Sequence, residues 1–153
     1  MAILRPATQA DQETISAMVH AARLNPLNLR WVNFWVAEAD GRIVGVGQLR
    51  PHAGGSRELA SLAVESAYQH QEIGSRLVRQ LLTLCPAPIY LLCEESLGSY
   101  YARSGFHRVG REVLPPPLAR LYLAGRLVTG IGALLNPKIG RLIAMRWDGA
   151  RMD

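Results

Sequence analysis

Residues 57–82 read RELASLAVESAYQHQEIGSRLVRQLL, and the pattern changes once along them. RELASLAV is a β-like run. IGSRLVRQLL, continuing to Leu84, puts Ile73, Leu77, Leu81 and Leu84 on one side of a helix. Between the two lies a polar loop, with Gly74 where the helix begins and Glu72 just before it. The start of a helix carries unpaired N–H groups and the positive end of its dipole. Glycine there lets a phosphate come close to the backbone. Glu72 complements the dipole, yet it would repel a bound anion.

Upstream, FWVAEA and RIVGVGQLR are β-runs joined by Asp40-Gly41, a hairpin with a type I′ turn, and after the loop PHAGG the run RELASLAV is the third strand of a meander. Before it, AILRPAT is a short strand closed by Pro6 and Thr8. ADQETISAMVHAARL follows at helical period, with Ile15, Met18, Val19 and Ala22 on one face, Asp11 and Glu13 in its first turn, and NPLNLRW breaking it. Downstream, the helix stops at CPAP. IYLLCEE is continuously apolar, which predicts a strand buried on both faces and parallel to a neighbour. SLGSYYARSGF predicts a short helix ended by Gly105, HRVGREV a strand stopped by LPPP, LARLYLAGRLVTGIGALL an apolar helix, and RLIAMRW a last strand. The order β-α-β-β-β-α-β-α-β-(α)-β, without repeats, predicts one α+β domain over residues 1–153. Its sheet is mixed and mostly antiparallel, with a βαβ crossover and a helical insertion before the last strand.

Composition narrows the function classes. With 153 residues, 49% of them apolar and 19% charged, the chain can fill a core. Cys85 and Cys93 fit neither a metal spacing nor a disulfide framework and read as small core hydrophobes, so no metal is expected and a reduced, cytoplasmic setting is. MAILRPATQADQE turns polar at once, unlike a signal peptide. The net charge of +5 is uneven: residues 1–113 hold 11 Arg against 10 acids, residues 114–153 six Lys+Arg against two acids. No basic cluster is interleaved with aromatics, so nucleic acid is not an expected partner.

The arrangement resembles the GCN5-related N-acetyltransferase (GNAT) superfamily through LASLAV, YQHQEIGSRLV and LGSYYARSGF, over about residues 2–113 and again at LIAMRW. The family's acetyl-CoA loop, Q/R-x-x-G-x-G/A, corresponds to Gln69-His70-Gln71-Glu72-Ile73-Gly74, with Glu72 where glycine is usual. Its Y-x-x-x-G-F corresponds to Tyr101 through Phe106. The resemblance implies that pantetheine pairs like an extra strand with the backbone of Leu62, Ala63 and Val64. The pyrophosphate would rest on N–H groups of residues 69–75, namely Gln69, His70, Gln71, Glu72, Ile73, Gly74 and Ser75. The thioester would enter where the family's sheet splays between RELASLAV and IYLLCEE. The implied activity is transfer of an acetyl group from acetyl-CoA to a primary amine by direct attack in a ternary complex. The alternatives are a catalytically weak acyl-CoA-binding or regulatory domain, which Glu72 supports, and a peripheral membrane or partner-binding protein working through residues 114–135.

Acyl transfer from a thioester needs a neutral amine, a donor for the oxyanion and a proton for the departing thiolate. Tyr101 is the expected acid, placed where the resemblance puts a tyrosine, with Tyr100 as competitor. Glu58 is the expected base: by period 2 it shares a face with Ala60, Leu62 and Val64, and a carboxylate beside an apolar face suits that role. Glu94 and Glu95 could bind a cationic acceptor or simply be solvated. His52 falls in a loop and His70 in the phosphate loop, and Trp31 or Trp35 could wall an acceptor site or fill the core.

Residues 114–138 lie outside the resemblance as an apolar insertion, LPPPLARLYLAGRLVTGIGALLNPK. A helix apolar nearly all round wants burial, so the segment is expected to pack on the domain or on a second copy in a homodimer, walling the acceptor opening. The alternative is a lipid-facing flap whose arginines meet anionic headgroups. Arg120 and Arg126 argue against a transmembrane span.

Overall fold

A computed structural model describes residues 1–136, 138 and 140–149. Strands β1 (Ile3–Pro6), β2 (Phe34–Ala39), β3 (Arg42–Pro51), β4 (Arg57–Val64), β5 (Ile89–Glu94), β6 (His107–Val109) and β7 (Leu142–Trp147) form one mixed sheet in the order β1-β2-β3-β4-β5-β7-β6. The helices are α1 (Gln12–Ala21), α2 (Ile73–Leu82), α3 (Gly98–Ala102) and α4 (Pro116–Leu135). The element order is the one expected from the sequence. By compactness the chain divides into Met1–Pro51 with Leu59–Cys85, and His52–Glu58 with Pro86–Asp153.

In the first unit β1, β2 and β3 are antiparallel. Asp40 (φ 53°) and Gly41 (φ 75°) both take the positive φ of a type I′ turn, which an Asp-Gly pair allows. The β2–β3 register steps from Ala37↔Gly45 to Glu38↔Ile43, leaving Val44 as an extra residue. This bulge turns Val44 and Gly45 to the same side, where Val44 packs with Ala37, Ile73 and Leu77. A Cβ on Gly45 would stand 3.0 Å from Ile73 Cγ2, and one on Gly47 3.1 Å from Leu81 Cδ1. The glycines of VGVG therefore let α2 lie close on β3. On the opposite side Ile15 and Val19 of α1 pack with Phe34, Val36, Val46 and Ala63. Each such fully buried aliphatic contributes roughly 1.5–3 kcal/mol. Leu84 is 46% exposed, contrary to its expected inward position, because α2 ends at Leu82 before reaching it.

In the second unit β5 runs antiparallel to β7, from Ile89↔Trp147 to Glu94↔Leu142, and parallel to β4 at Glu58↔Tyr90. The apolar run IYLLCEE is thus a central strand with a parallel neighbour. HRVGREV forms a strand only as far as Val109. Residues Arg111–Val113 make a 3-10 turn instead, with Val113 N–H donating to the Gly110 carbonyl at 3.2 Å. The prolines that follow lack the N–H a ladder needs. Leu118, in the first turns of α4, is buried with Tyr90, Leu114 and Ala144. Burial of α4 is confined to one side: Leu127, Val128, Leu134 and Leu135 are exposed, so the domain itself covers only part of the insertion. Pro137, within the 114–138 insertion, lies outside the described residues.

Candidate active site

The loop before α2 is shaped by two left-handed residues, His70 and Glu72, each at φ 63°. This gives the glycine of the family pattern a physical reason. The fourth position must turn left-handed, a conformation that costs an L-residue about 1–2 kcal/mol, and here glutamate occupies it. Glu72 is also the N-cap of α2, with ψ 12°, and no side chain caps the helix. Its carbonyl accepts from Arg76 N–H at 2.9 Å, the first bond of the helix, so the earlier amides of α2 have no partner within it. The start of the loop is tied down. Glu65 N–H donates to the Val44 carbonyl at 2.8 Å, Arg42 forms a bidentate pair with the Glu65 carboxylate, and Tyr68 OH donates to Asp40 at 2.8 Å. Gln69 donates to the Val64 carbonyl at 3.1 Å, and Arg76 to the Ala2 carbonyl at 2.9 Å. A cleft of about 440 Å3 opens beside the helix start, lined in part by Asp40, Tyr68, Gln71, Glu72 and Arg76. Gln69, His70, Gln71 and Glu72 are exposed, Gly74 and Ser75 half-buried and Ile73 buried against β3. Leu62 and Val64 pack on the α2 side of the sheet, Ala63 on the α1 side.

Strand β4 contains a break that the sequence did not announce. Ser61 sits at φ 57°, and Gln48, itself fully buried, donates to its Oγ at 2.8 Å. A left-handed residue inside a strand interrupts the pleat, so the period-2 count from Glu58 to Val64 does not run through it. Glu58 is nevertheless buried, at 5% exposure. Its Oε1 lies 2.9 Å from His52 Nε2, and both side chains are almost enclosed. His52 is brought there by the loop it opens, where its N–H donates to the Ser56 carbonyl at 2.9 Å. This pairing is not among the sequence expectations. Its signal was the spacing itself, six residues across a Gly-Gly turn.

Tyr101 belongs to α3 and meets Tyr100 (5.1 Å between ring centroids) and Phe106 (6.1 Å) edge to face. Burial, with smaller contributions from Cys93 and Tyr100, pushes its hydroxyl well above the usual tyrosine range. The phenol is therefore protonated throughout the physiological range, as a proton donor must be. Tyr100 differs: the Arg103 guanidinium lies over its ring at 5.4 Å. Burial also raises the Cys93 thiol, to about 11, which fits a core cysteine and not a nucleophile. Glu95 accepts from Arg108 at 3.1 Å and Glu94 is exposed. Trp31 and Trp35 are half-buried, packed against the α1-side and α2-side clusters respectively. The structure thus joins Glu58 to His52 and braces residues 65–72 as the loop between β4 and α2. Among the described residues no group of His, Cys, Asp and Glu could hold a metal ion.

The family model described as "Acetyltransferase (GNAT) domain" matches residues 30–108. No curated protein matches the chain. Among solved structures, Rv2747 from Mycobacterium tuberculosis in complex with CoA is 22% identical, with a TM-score of 0.69 over 95% of this chain and 98% of that one. A GNAT-family acetyltransferase from Staphylococcus aureus Mu50 is 17% identical, with a TM-score of 0.67 over 96% of this chain and 98% of that one. The N-acetylglutamate synthase of Neisseria gonorrhoeae, complexed with coenzyme A and N-acetyl-glutamate, is 20% identical with a TM-score of 0.70; the match covers 95% of this chain but 35% of the synthase. At these identities the likeness is one of fold.

Proposed function

Because the chain belongs to the GNAT acetyltransferase family, we propose that it transfers the acetyl group of acetyl-CoA to a primary amine by direct attack. The observation that carries this reading is the uncapped start of α2 behind the left-handed turn at Glu72, which presents backbone donors suited to a pyrophosphate. Residues 69–75 would hold the phosphates, and the backbone of Leu62, Ala63 and Val64 would hold the pantetheine. Acetyl-CoA supplies the thioester carbonyl. The remaining chemistry falls to side chains. Glu58, held by His52, takes the proton of the incoming ammonium, so that the nitrogen lone pair is free to attack. A C–N bond forms, the C–S bond breaks and the nitrogen's second proton passes to solvent, while Tyr101 gives its proton to the departing thiolate and is reprotonated from solvent, so that amide and free thiol result. The exposed Glu72 carboxylate favours one second reading, a domain that binds acyl-CoA weakly and turns it over little. A thiol-release assay with acetyl-CoA and a panel of amines separates the two. Release that depends on an amine supports the transferase, whereas calorimetric binding without release under any amine supports the second reading.

A further inference from the structure

Helix α4 has two unlike sides. Leu118 is fully buried, and Leu121, Tyr122, Gly125, Thr129 and Gly132 are half-buried on the same side. The approach is close enough that a Cβ on Gly125 would stand 2.5 Å from Leu142 Cδ2 of β7. The other side carries Leu123, Leu127, Val128, Ile131, Leu134 and Leu135, between 46% and 86% exposed. At 100° per residue these six fall in one stripe about 140° wide. They expose on the order of 700 Å2, more than the largest apolar patch of an ordinary monomer.

We propose that this stripe docks on a lipid bilayer carrying anionic headgroups, with α4 lying in the interface plane. Charge selects the occupant. From Leu114 to Arg141 the chain has Arg120, Arg126, Lys138 and Arg141 and no Asp or Glu, while Arg146, on β7, is paired with Asp148 at 2.7 Å. Cations flanking an apolar stripe complement anionic headgroups, whereas a second copy docked through the same stripe would set these cations against one another. Arg120 is exposed at the level of the stripe and can reach headgroups from it, and Arg126 turns aside, donating to Tyr122 OH at 2.8 Å. The helix is long and apolar enough to cross a membrane, at 20 residues and mean hydropathy 1.4. Its inner side is occupied by the sheet at Leu118 and Gly125, however, which leaves one side for lipid and places it on the membrane and not through it.

Flotation of the full chain with phosphatidylcholine vesicles, with and without phosphatidylglycerol, tests this. Binding should be at least about tenfold tighter to the anionic vesicles and should weaken as salt rises. The double variant Leu127→Gln, Ile131→Gln should bind more than about tenfold less tightly, and Arg120→Gln about fivefold less. These side chains are exposed, so the variants should melt like the parent. A Val128→Trp variant gives an independent reading, with a blue-shifted emission on adding anionic vesicles. No binding to either vesicle, or binding that the double variant leaves intact, overturns the proposal. So does a concentration-dependent dimer that the double variant dissolves while vesicles stay bare.

Discussion

Replacing Glu72 by glycine changes two quantities at once, and the structure lets them be separated. The first is stability. Glu72 sits at φ 63° and ψ 12°, where an L-residue is disfavoured by about 1–2 kcal/mol and glycine is not. Glycine also loses more freedom on folding, by roughly 0.5–1 kcal/mol. The net gain for Glu72→Gly is therefore about 0.5–1 kcal/mol, or some 1–4 °C in Tm for a chain of this size. The second is affinity for acetyl-CoA. A carboxylate ~6 Å from a phosphate charge repels it by roughly 0.7 kcal/mol in bulk water and about 3 kcal/mol at an effective dielectric of 20. Glu72 is exposed, so the lower figure applies. Closer backbone approach adds to it, giving about 1 kcal/mol, or roughly fivefold in Kd. Glu72→Gln serves as the control, since it removes the charge and keeps the left-handed side chain. It should tighten binding about threefold, leave Tm unchanged, and show a smaller effect at high salt. Thermal melts without ligand and titration calorimetry with acetyl-CoA at low and high salt read both quantities. A Glu72→Gly protein that melts lower than the parent would refute the argument from backbone conformation. Unchanged affinity in both variants would place Glu72 away from the phosphates.

Tyr101→Phe should lower kcat more than tenfold while acetyl-CoA affinity by calorimetry stays within about twofold, because the lost donor acts in the chemical step. If Tyr100→Phe shows that split instead, the acid is its neighbour. Glu58→Gln should lower kcat/KM more than tenfold near neutral pH. The deficit should shrink at alkaline pH, where amines lose their proton unaided; a deficit that does not change with pH would make Glu58 structural. Asp11 accepts from Arg5 Nη1 and Nη2 (2.8 and 3.1 Å) and from Thr8 N–H (2.7 Å), chiefly the Arg5 bonds holding its carboxyl down at about 2. A depressed folded-state value contributes stability above about pH 4, and that contribution is lost as pH falls towards 2. Asp11→Asn should accordingly destabilise by about 1–3 kcal/mol at pH 7 in urea melts, with the gap to the parent closing below pH 4.

The fold was legible because its signals are local and agree with one another. Asp40-Gly41 between two alternating runs admits few readings besides a type I′ hairpin, and both residues take positive φ. IYLLCEE could be assigned a parallel neighbour from its lack of alternation alone. The readings that failed did so where an element stopped. Leu84 continues the heptad-like spacing of α2 but follows its end, and REV continues the strand pattern of HRV into a proline run that withholds ladder donors. Periodicity carries no information about where hydrogen bonding ends.

The candidate site was legible by residue type but not by conformation. Glycine in a motif marks either close approach or a left-handed backbone, and the two have different consequences when the residue is lost. At position 72 the structure shows the second: the turn is made by glutamate, held in place by neighbours such as the Glu65–Val44 and Tyr68–Asp40 bonds. The departure from the motif thus strains the loop without abolishing its shape, and the donors of α2 remain turned out. Ser61 presents the same lesson without any motif to hint at it. Its left-handed turn carries a hydroxyl that accepts from Gln48, thirteen residues earlier in the chain and on another strand. That is a tertiary contact, which no reading of RELASLAV by itself could supply. Gln48→Leu, close in size, would leave the Ser61 hydroxyl buried without its donor at a cost of about 1–3 kcal/mol, offset in part by removing Gln48 Oε1, which is buried without a partner. A Ser61→Gly change in the same background should recover part of that loss by relieving the left-handed turn and removing the orphaned hydroxyl. If it does not, the loss in Gln48→Leu comes from packing around position 48 and not from the Ser61 hydroxyl.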